Sequence, residues 1–271
     1  MDNPAPSDAA KRLADAELRA RLRGATIPRH LAVIPDGNRR WAAQRGLPAI
    51  DGHRTGFEMA RRLARFCRDI GIHTVTLWAF STENWRRSPA EVAALMALYE
   101  HWLTELLGEA IDEEVRIIHL GRLEGLPSNV RSAGAAAGFP EGLPHSLRDA
   151  IRRAEEKTAG FERNVINVAI NYGGADEIQR AVDRMLAHAE STGESPAALD
   201  LESFLDTAGQ RYPNPDIVLR TSGEYRSSGF LPLQSAYAEM IFTTKYFPAL
   251  DREDVVETVL EYSARVRRFG G

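Results

Sequence analysis

The sequence predicts a single α/β domain built on one open, mostly parallel sheet of about six strands flanked by helices. Three observations carry that prediction. Apolar runs of buried-strand type alternate with segments whose apolar residues recur at helical spacing. Three of those runs end in polar loops that carry arginine, at 36–41, 81–87 and 220–228, as expected where parallel strands deliver residues to one edge. The chain of 271 residues is 44% hydrophobic, which is enough to fill one large core, and it contains no internal repeat. Residues 1–29 read as an N-terminal arm, partly helical or disordered, and 30–271 as the domain.

Within the arm, few large apolar groups are present, and a helix over Ser7–Arg23, capped by Ser7 or Asp8, presents a solvated face. Leu31-Ala32-Val33-Ile34 is a continuous apolar run of buried-strand type, and Pro35, which has no N–H for a ladder, ends it. Phe57, Ala60, Leu63, Ala64, Cys67 and Ile70 place a helix over Arg54–Ile70, closed by Gly71. A second strand over His73–Phe80 runs straight into the polar loop Ser81–Arg87. Ser88-Pro89-Ala90-Glu91 offers a serine cap, a proline and a third-position glutamate, so a helix starts there and continues through Leu107. Val115–Leu120 is the third strand. The stretch from Gly121 to Pro144, with its glycine-rich run Ala133–Gly138, is read as a flexible loop or lid. A helix follows through Lys157, and then a fourth strand, Asn164–Asn171, which ends in Tyr172-Gly173-Gly174. Helices are expected from there to about Glu190 and over Leu199–Ala208. Asp216–Leu219 and Tyr237–Phe242 are the fifth and sixth strands, and Asp251–Arg268 the last helix.

A formal net charge of −4 argues against general nucleic-acid binding, while 34 basic residues are enough to cluster around an anionic substrate. The lone cysteine, Cys67, excludes an intrachain disulfide and fits a reducing compartment. Asp2 and the absence of a long apolar run at the start argue against a signal peptide. No stretch reaches the roughly 18 apolar residues of a membrane span. The expected location is the cytoplasm.

The loop Pro35-Asp36-Gly37-Asn38-Arg39-Arg40-Trp41 organises the rest of the reading. Backbone N–H groups at a helix start, with Arg39 and Arg40 beside them, suit a diphosphate. Asp36 would repel that anion directly but suits Mg²⁺, whose sites pair one or two carboxylates with substrate phosphates. An ordinary turn with Asp36 as a helix cap is the competing reading. Arg220 and Arg226 flank Ser222-Gly223-Glu224, where two guanidinium groups can fork onto phosphate oxygens; ion pairs with Asp216 and Glu224 are the alternative. Glu239 follows a largely apolar stretch, with a structural salt bridge as its alternative role. His53 lies beside a helix start, where a capping role competes with substrate contact. No zinc ligand set, Walker A string or strand-linked Gly-x-Gly-x-x-Gly is present, so the inventory points to two anionic groups and a hard cation.

From about His30 to Arg268 the chain resembles the cis-prenyltransferases, the family of undecaprenyl diphosphate synthase. The resemblance rests on Asp36-Gly37-Asn38, Gly52-His53, Phe80 through Trp85, Asn171 through Gly174, Arg220 through Glu224, and Gln234 through Glu239. It implies a homodimeric α/β fold with a hydrophobic tunnel, and Mg²⁺-dependent condensation of isopentenyl diphosphate with an allylic diphosphate. It makes Asp36 the essential acid and metal ligand, with Glu239 helping to hold the metal. Gly37, Asn38, Arg39, Arg40, Trp41 and His53 would surround the allylic diphosphate. Ser81, Thr82, Glu83, Trp85 and Arg87 would complete the substrate site, and Asn84 holds the position credited with proton removal. Arg220, Arg226, Ser227 and Ser228 would hold isopentenyl diphosphate. The tunnel of such enzymes runs between the sheet and the helix bearing Tyr99 and Trp102, which sit three apart on neighbouring faces. Their bulk predicts a short-to-medium product. Peripheral membrane contact is expected only for a long one.

Several positions depart from the family pattern. Pro35 replaces a methionine, while Ala49 and Ala175 replace arginines. Ser227, Gly229, Pro232 and Leu233 replace a leucine, an asparagine, a leucine and a tryptophan, and 130–142 reads as an insertion. These changes around the acceptor site raise a specialised synthase of short or irregular, lavandulyl-type products as an alternative. A non-catalytic scaffold subunit of the same fold is a second one, opposed by the presence of Asp36, Asn84, Arg220, Arg226 and Glu239.

Overall fold

Strand β1 (His30–Ile34) is buried at every position and lies inside a six-stranded sheet of order β3-β4-β2-β1-β5-β6. The other strands are β2 (Thr74–Ser81), β3 (Val115–Leu120), β4 (Asn164–Tyr172), β5 (Ile217–Arg220) and β6 (Glu239–Phe242). All five pairings are parallel, so the sheet is parallel throughout and not merely mostly so. The computed structural model describes residues 16–127, 130, 139 and 141–265; Ser7, Asp8, Ala133–Gly138 and Arg268 lie outside them.

A sheet covered on both faces requires strands that are apolar on both faces. In β1, Leu31 and Val33 join the larger core, under the helices, while Ala32 and Ile34 join a smaller one with Trp78, Tyr172, Phe230 and Leu231. Helices α1 (Asn38–Ala43), α2 (Ala49–Asp69), α3 (Pro89–Asp112), α4 (His145–Thr158), α5 (Gly174–Thr192) and α6 (Arg252–Ala264) complete the layers. Ser88 Oγ accepts the Glu91 N–H at 3.2 Å, so α3 starts at the predicted cap.

Two predicted helices are corrected. Helix α2 begins at Ala49, five residues before Arg54, because Gly52 and Gly56 serve close packing, not propensity. A Cβ at Gly52 would lie 2.1 Å from the Asn38 carbonyl oxygen, and one at Gly56 2.3 Å from Asn38 Oδ1. The segment 199–208 forms only a short 3-10 turn, Leu201–Phe204, instead of a helix. Asp200 accepts the Glu202 N–H, and Asp206 is drawn onto Arg180, with both guanidinium contacts at 2.6 Å. Those polar commitments outcompete helical hydrogen bonding.

The register fixes what meets at the site. Ile34 pairs with Arg220, and Ser81 with Tyr172, so these residues share the carboxyl edge of the sheet. Register shifts between Trp78 and Ser81 disturb the end of β2 there, as bulges beside sites do. β1 is flanked by β2 on one side and β5 on the other, the topological switch point of the sheet.

Candidate active site

At that switch point a cavity of about 660 Å³ opens against the ends of β1, β2 and β5. Its mouth is polar: Asp36, Asn38, Arg39, Arg40, His53, Ser81, Glu83, Asn84, Arg87, Arg220 and Ser228 all line it. Its depth is apolar, with Phe57, Leu77, Trp78, Tyr99 and Trp102.

Asp36 follows the last residue pair of β1 and is held by two arginines. Arg220 Nη2 donates to Asp36 Oδ2 at 3.0 Å, and Arg40 Nη2 reaches Oδ1 at 3.5 Å. It does not cap α1: the cap residue is Gly37, with φ of 95° and no side-chain cap. A Cβ at Gly37 would lie 2.0 Å from Ser222 Oγ, so glycine is needed there for both conformation and space. Asn38 Nδ2 donates to the Pro35 carbonyl at 3.0 Å and docks the start of α1 on the two glycines of α2.

Arg220 is buried, with 5% side-chain exposure, and organises the other flank. Its Nη1 donates to Ser228 Oγ at 2.7 Å and to the Arg226 carbonyl. Arg226 itself points its guanidinium to Glu224 at 2.6 Å, and Glu224 also pairs with Arg40 at 3.0 Å. The hydrogen bond from Arg226 holds the Glu224 carboxyl below the usual range. The predicted ion-pair alternative is thus half met: Arg226 pairs with Glu224, but Arg220 pairs with Asp36 and not Asp216. Arg39 and Arg87 share Glu91, at 3.6 and 3.1 Å.

Burial, with Arg87 and Arg39 nearby, pushes His53 down to about 4, so its ring is neutral at neutral pH. His53 Nε2, Asn38 Oδ1, Arg220 Nε and Trp102 Nε1 are buried with no hydrogen-bond partner among the described residues. Buried polar groups are normally satisfied, so four such atoms on residues lining one cavity mark a ligand site. Ser81 N–H donates to Asn84 Oδ1 at 3.1 Å, which fixes the Asn84 side chain at the mouth.

Other predicted residues lie apart. Thr82 and Trp85 are buried behind the mouth: Thr82 Oγ1 contacts Glu83, and Trp85 Nε1 donates to Asn171 Oδ1 at 2.8 Å. They shape the loop and do not line the cavity. Trp41 lies outside it beneath Arg45, whose guanidinium carbon is 4.2 Å from the ring centroid. Ser227 is exposed and does not line it either.

Glu239 does not line the cavity either. It starts β6 level with Ile217 and Leu31, at the amino edge of the sheet, whereas Asp36 lies beyond the carboxyl edge. Its carboxylate takes Arg265 Nη1 at 2.6 Å, the salt bridge that was its alternative reading. It cannot share an ion with Asp36 of the same chain. Among the described residues no group of three or more His, Cys, Asp or Glu could hold a metal. Mg²⁺ needs less, because one carboxylate and substrate phosphates suffice, and Asp36 beside four lining arginines fits that requirement.

Sequence reasoning named Tyr99 and Trp102 but missed that Phe57 joins them in one ring cluster on the cavity wall. Phe57 stacks on Trp102 at 5.1 Å and 23°, and meets Tyr99 edge-on at 5.1 Å and 69°. Tyr99 OH donates to the Ala79 carbonyl at 2.6 Å, which ties α3 to β2. Both Tyr99 and Trp102 face the cavity, because Phe57 from α2 bridges their neighbouring faces.

Comparison with known proteins agrees with this geometry. The family model described as putative undecaprenyl diphosphate synthase matches residues 34–137 and 133–270. An isoprenyl transferase of Agrobacterium fabrum is 40% identical over 248 residues, covering 90% of this chain and 93% of that protein. A tritrans,polycis-undecaprenyl-diphosphate synthase (geranylgeranyl-diphosphate specific) of Methanocaldococcus jannaschii is 40% identical over 252 residues, covering 90% and 83%. Lavandulyl diphosphate synthase from Lavandula x intermedia, in complex with dimethylallyl diphosphate, superposes with a TM-score of 0.79 at 31% identity, covering 90% and 99%. A probable undecaprenyl diphosphate synthase from Campylobacter jejuni gives 0.68 at 30% identity, covering 91% and 100%. With the sheet, the switch-point cavity and these matches in agreement, the chain belongs to the undecaprenyl diphosphate synthase family and is a prenyltransferase.

Proposed function

We propose that the protein is a Mg²⁺-dependent cis-prenyl diphosphate synthase that condenses isopentenyl diphosphate with an allylic diphosphate primer. One observation carries this reading: a single cavity joins a mouth of four arginines and Asp36 to an apolar depth. Amphiphilic diphosphates have that same division. The primer's diphosphate lies by Gly37, Asn38, Arg39, Arg40 and His53, with its hydrocarbon on Phe57 and Leu77. Isopentenyl diphosphate lies by Arg220, Arg226 and Ser228.

Ionising an allylic diphosphate requires its leaving charge to be met by preorganised cations and donors, which the arginines provide. Mg²⁺ held by Asp36 would add positive charge at the leaving diphosphate. Apolar walls keep water from the allylic cation. Asn84, already oriented by the Ser81 N–H, assists removal of the proton that ends each addition.

A second reading, synthesis of a short or irregular product, is favoured by the three-ring cluster and by the changes at Ser227, Gly229, Pro232 and Leu233. A volume of about 660 Å³ suits a compact ligand, within the roughly 300–1,000 Å³ of ordinary small-molecule sites. Purified protein, Mg²⁺ and labelled isopentenyl diphosphate with dimethylallyl, geranyl or farnesyl primers separate the readings by product size. Dimethylallyl diphosphate alone tests the irregular reaction.

A homodimer is the proposed assembly. β6 is an edge strand, and Tyr237 and Tyr225 nearby are 80% and 71% exposed. The cytoplasm is the proposed location, with membrane contact only through a long product. No described helix is long and apolar enough to cross a membrane.

A further inference from the structure

The segment after β5 carries unusual backbone. Ser228, Gly229 and Leu231 all have positive φ, at 52°, 78° and 46°, and two of the three are not glycine. Such conformations persist only where the surroundings dictate them. Three contacts do so here. Arg220 holds Ser228 Oγ and the Arg226 carbonyl from the cavity side. Phe230 stacks on Trp78 at 4.9 Å and 6°. From behind, the Leu231 N–H donates to Tyr172 OH at 3.2 Å.

That last contact leads to a buried carboxylate. Because Tyr172 oxygen accepts from Leu231, its own proton goes to Glu177 Oε2. Glu177 Oε1 accepts the Asp206 N–H at 2.9 Å and Gln234 Nε2 at 2.8 Å. Both oxygens face donors, the pattern of an ionised acid, although burial and Asp206 push its pKa up. The first turn of α5 favours that anion. Glu177 is fully buried and lines no described cavity, so substrate contact does not account for it. The Gly173-Gly174 doublet makes the approach possible: a Cβ at Gly174 would lie 2.1 Å from the Gly229 carbonyl oxygen.

We propose that Glu177 is a positioning residue which, through Tyr172 and Gln234, clamps the 228–234 segment at Leu231 and Gln234 and so sets the affinity of Ser228 and its neighbours for isopentenyl diphosphate. The inference rests on the function proposed above. Glu177→Gln puts an amide N–H₂ among donors, and Tyr172→Phe removes the acceptor of the Leu231 N–H. Each change is expected to raise KM for isopentenyl diphosphate about tenfold, with kcat and primer KM held within about twofold. The double variant should be no worse than the weaker single one, since both cut the same link. Arg184→Ala, which removes a different contact to Asp206 at 3.0 Å, should leave both KM values unchanged.

Amide hydrogen exchange reads the clamp without turnover: Leu231 should lose protection in Glu177→Gln and Tyr172→Phe and keep it in Arg184→Ala. Retained Leu231 protection, or equal increases in both KM values, overturns the proposal. Wild-type protein that fails to elongate any primer would instead sink the proposed function, and the exchange measurement then decides the clamp by itself.

Discussion

Asp36 and Arg220 neutralise each other across the mouth of the cavity, and Arg220 is nearly buried. Removing a partner from such a pair leaves a buried charge uncompensated, typically at about 3–5 kcal/mol. Asp36→Asn, which keeps a hydrogen-bond acceptor for Arg220, is therefore the better test of chemistry, and Asp36→Ala the harsher one. Both should lower kcat by at least about a hundredfold, as the loss of a central electrostatic group does, with Asp36→Asn losing less melting temperature than Asp36→Ala because Arg220 keeps an acceptor. Retention of half the activity at saturating Mg²⁺ would remove Asp36 from its role. Among the described residues the Arg226 side chain pairs with the rim acid Glu224, so Arg226→Ala should raise KM for isopentenyl diphosphate about tenfold while sparing the primer. If steady-state kinetics show the primer suffering instead, the two diphosphate sites are exchanged.

Histidine titration tests burial at the same scale. His30, His53 and His119 are each pushed down to about 4, first of all by burial. The unfolded chain takes up these protons near pH 6.5 and the folded one only near 4. Stability from these groups is therefore complete above pH 6.5 and is lost as pH falls through that window, by up to about 1.4 kcal/mol per unit for each ring. Ring-proton NMR should show His30, His53 and His119 uncharged at pH 5. Titration of His53 above pH 6 would contradict the half-buried, neutral ring on which the site depends.

At the scale of elements, α2 and α3 decide how deep the cavity goes. Strand and helix order was legible from apolar runs and caps, and Ser88-Pro89 placed the start of α3 to the residue. What escaped was governed by tertiary contact. The helix expected from Arg54 starts five residues earlier, at Ala49, and its glycines at 52 and 56 accommodate Asn38. The inward direction of both Tyr99 and Trp102 depends on Phe57, a residue on another helix. Trp102→Ala and Tyr99→Ala should each lengthen the product, Trp102→Ala more, because Tyr99 also ties α3 to Ala79 and its loss loosens the wall. Such large-to-small changes in a core cost roughly 3–5 kcal/mol, so chromatography of dephosphorylated products should be paired with melting curves. An unchanged distribution in two folded variants would place the length determinant elsewhere.

At the scale of the molecule, the parallel sheet gathers three loops distant in sequence at one edge, and that convergence was legible from where the apolar runs stop. The opposite edge was not. Glu239 looked like a site residue by its apolar neighbours, but register alone sends it to the amino end of β6, beside Arg265. A one-dimensional pattern gives strand identity without saying which end carries a given residue into the site. The central claim is that one cavity joins two diphosphates at its mouth to a closed apolar depth. The most direct test is labelled isopentenyl diphosphate incubated with wild-type protein and each allylic primer, with and without Mg²⁺, followed by sizing of the dephosphorylated products. The account predicts Mg²⁺-dependent incorporation that stops at a short chain. Absence of incorporation with every primer, or chains of undecaprenyl length, would contradict it.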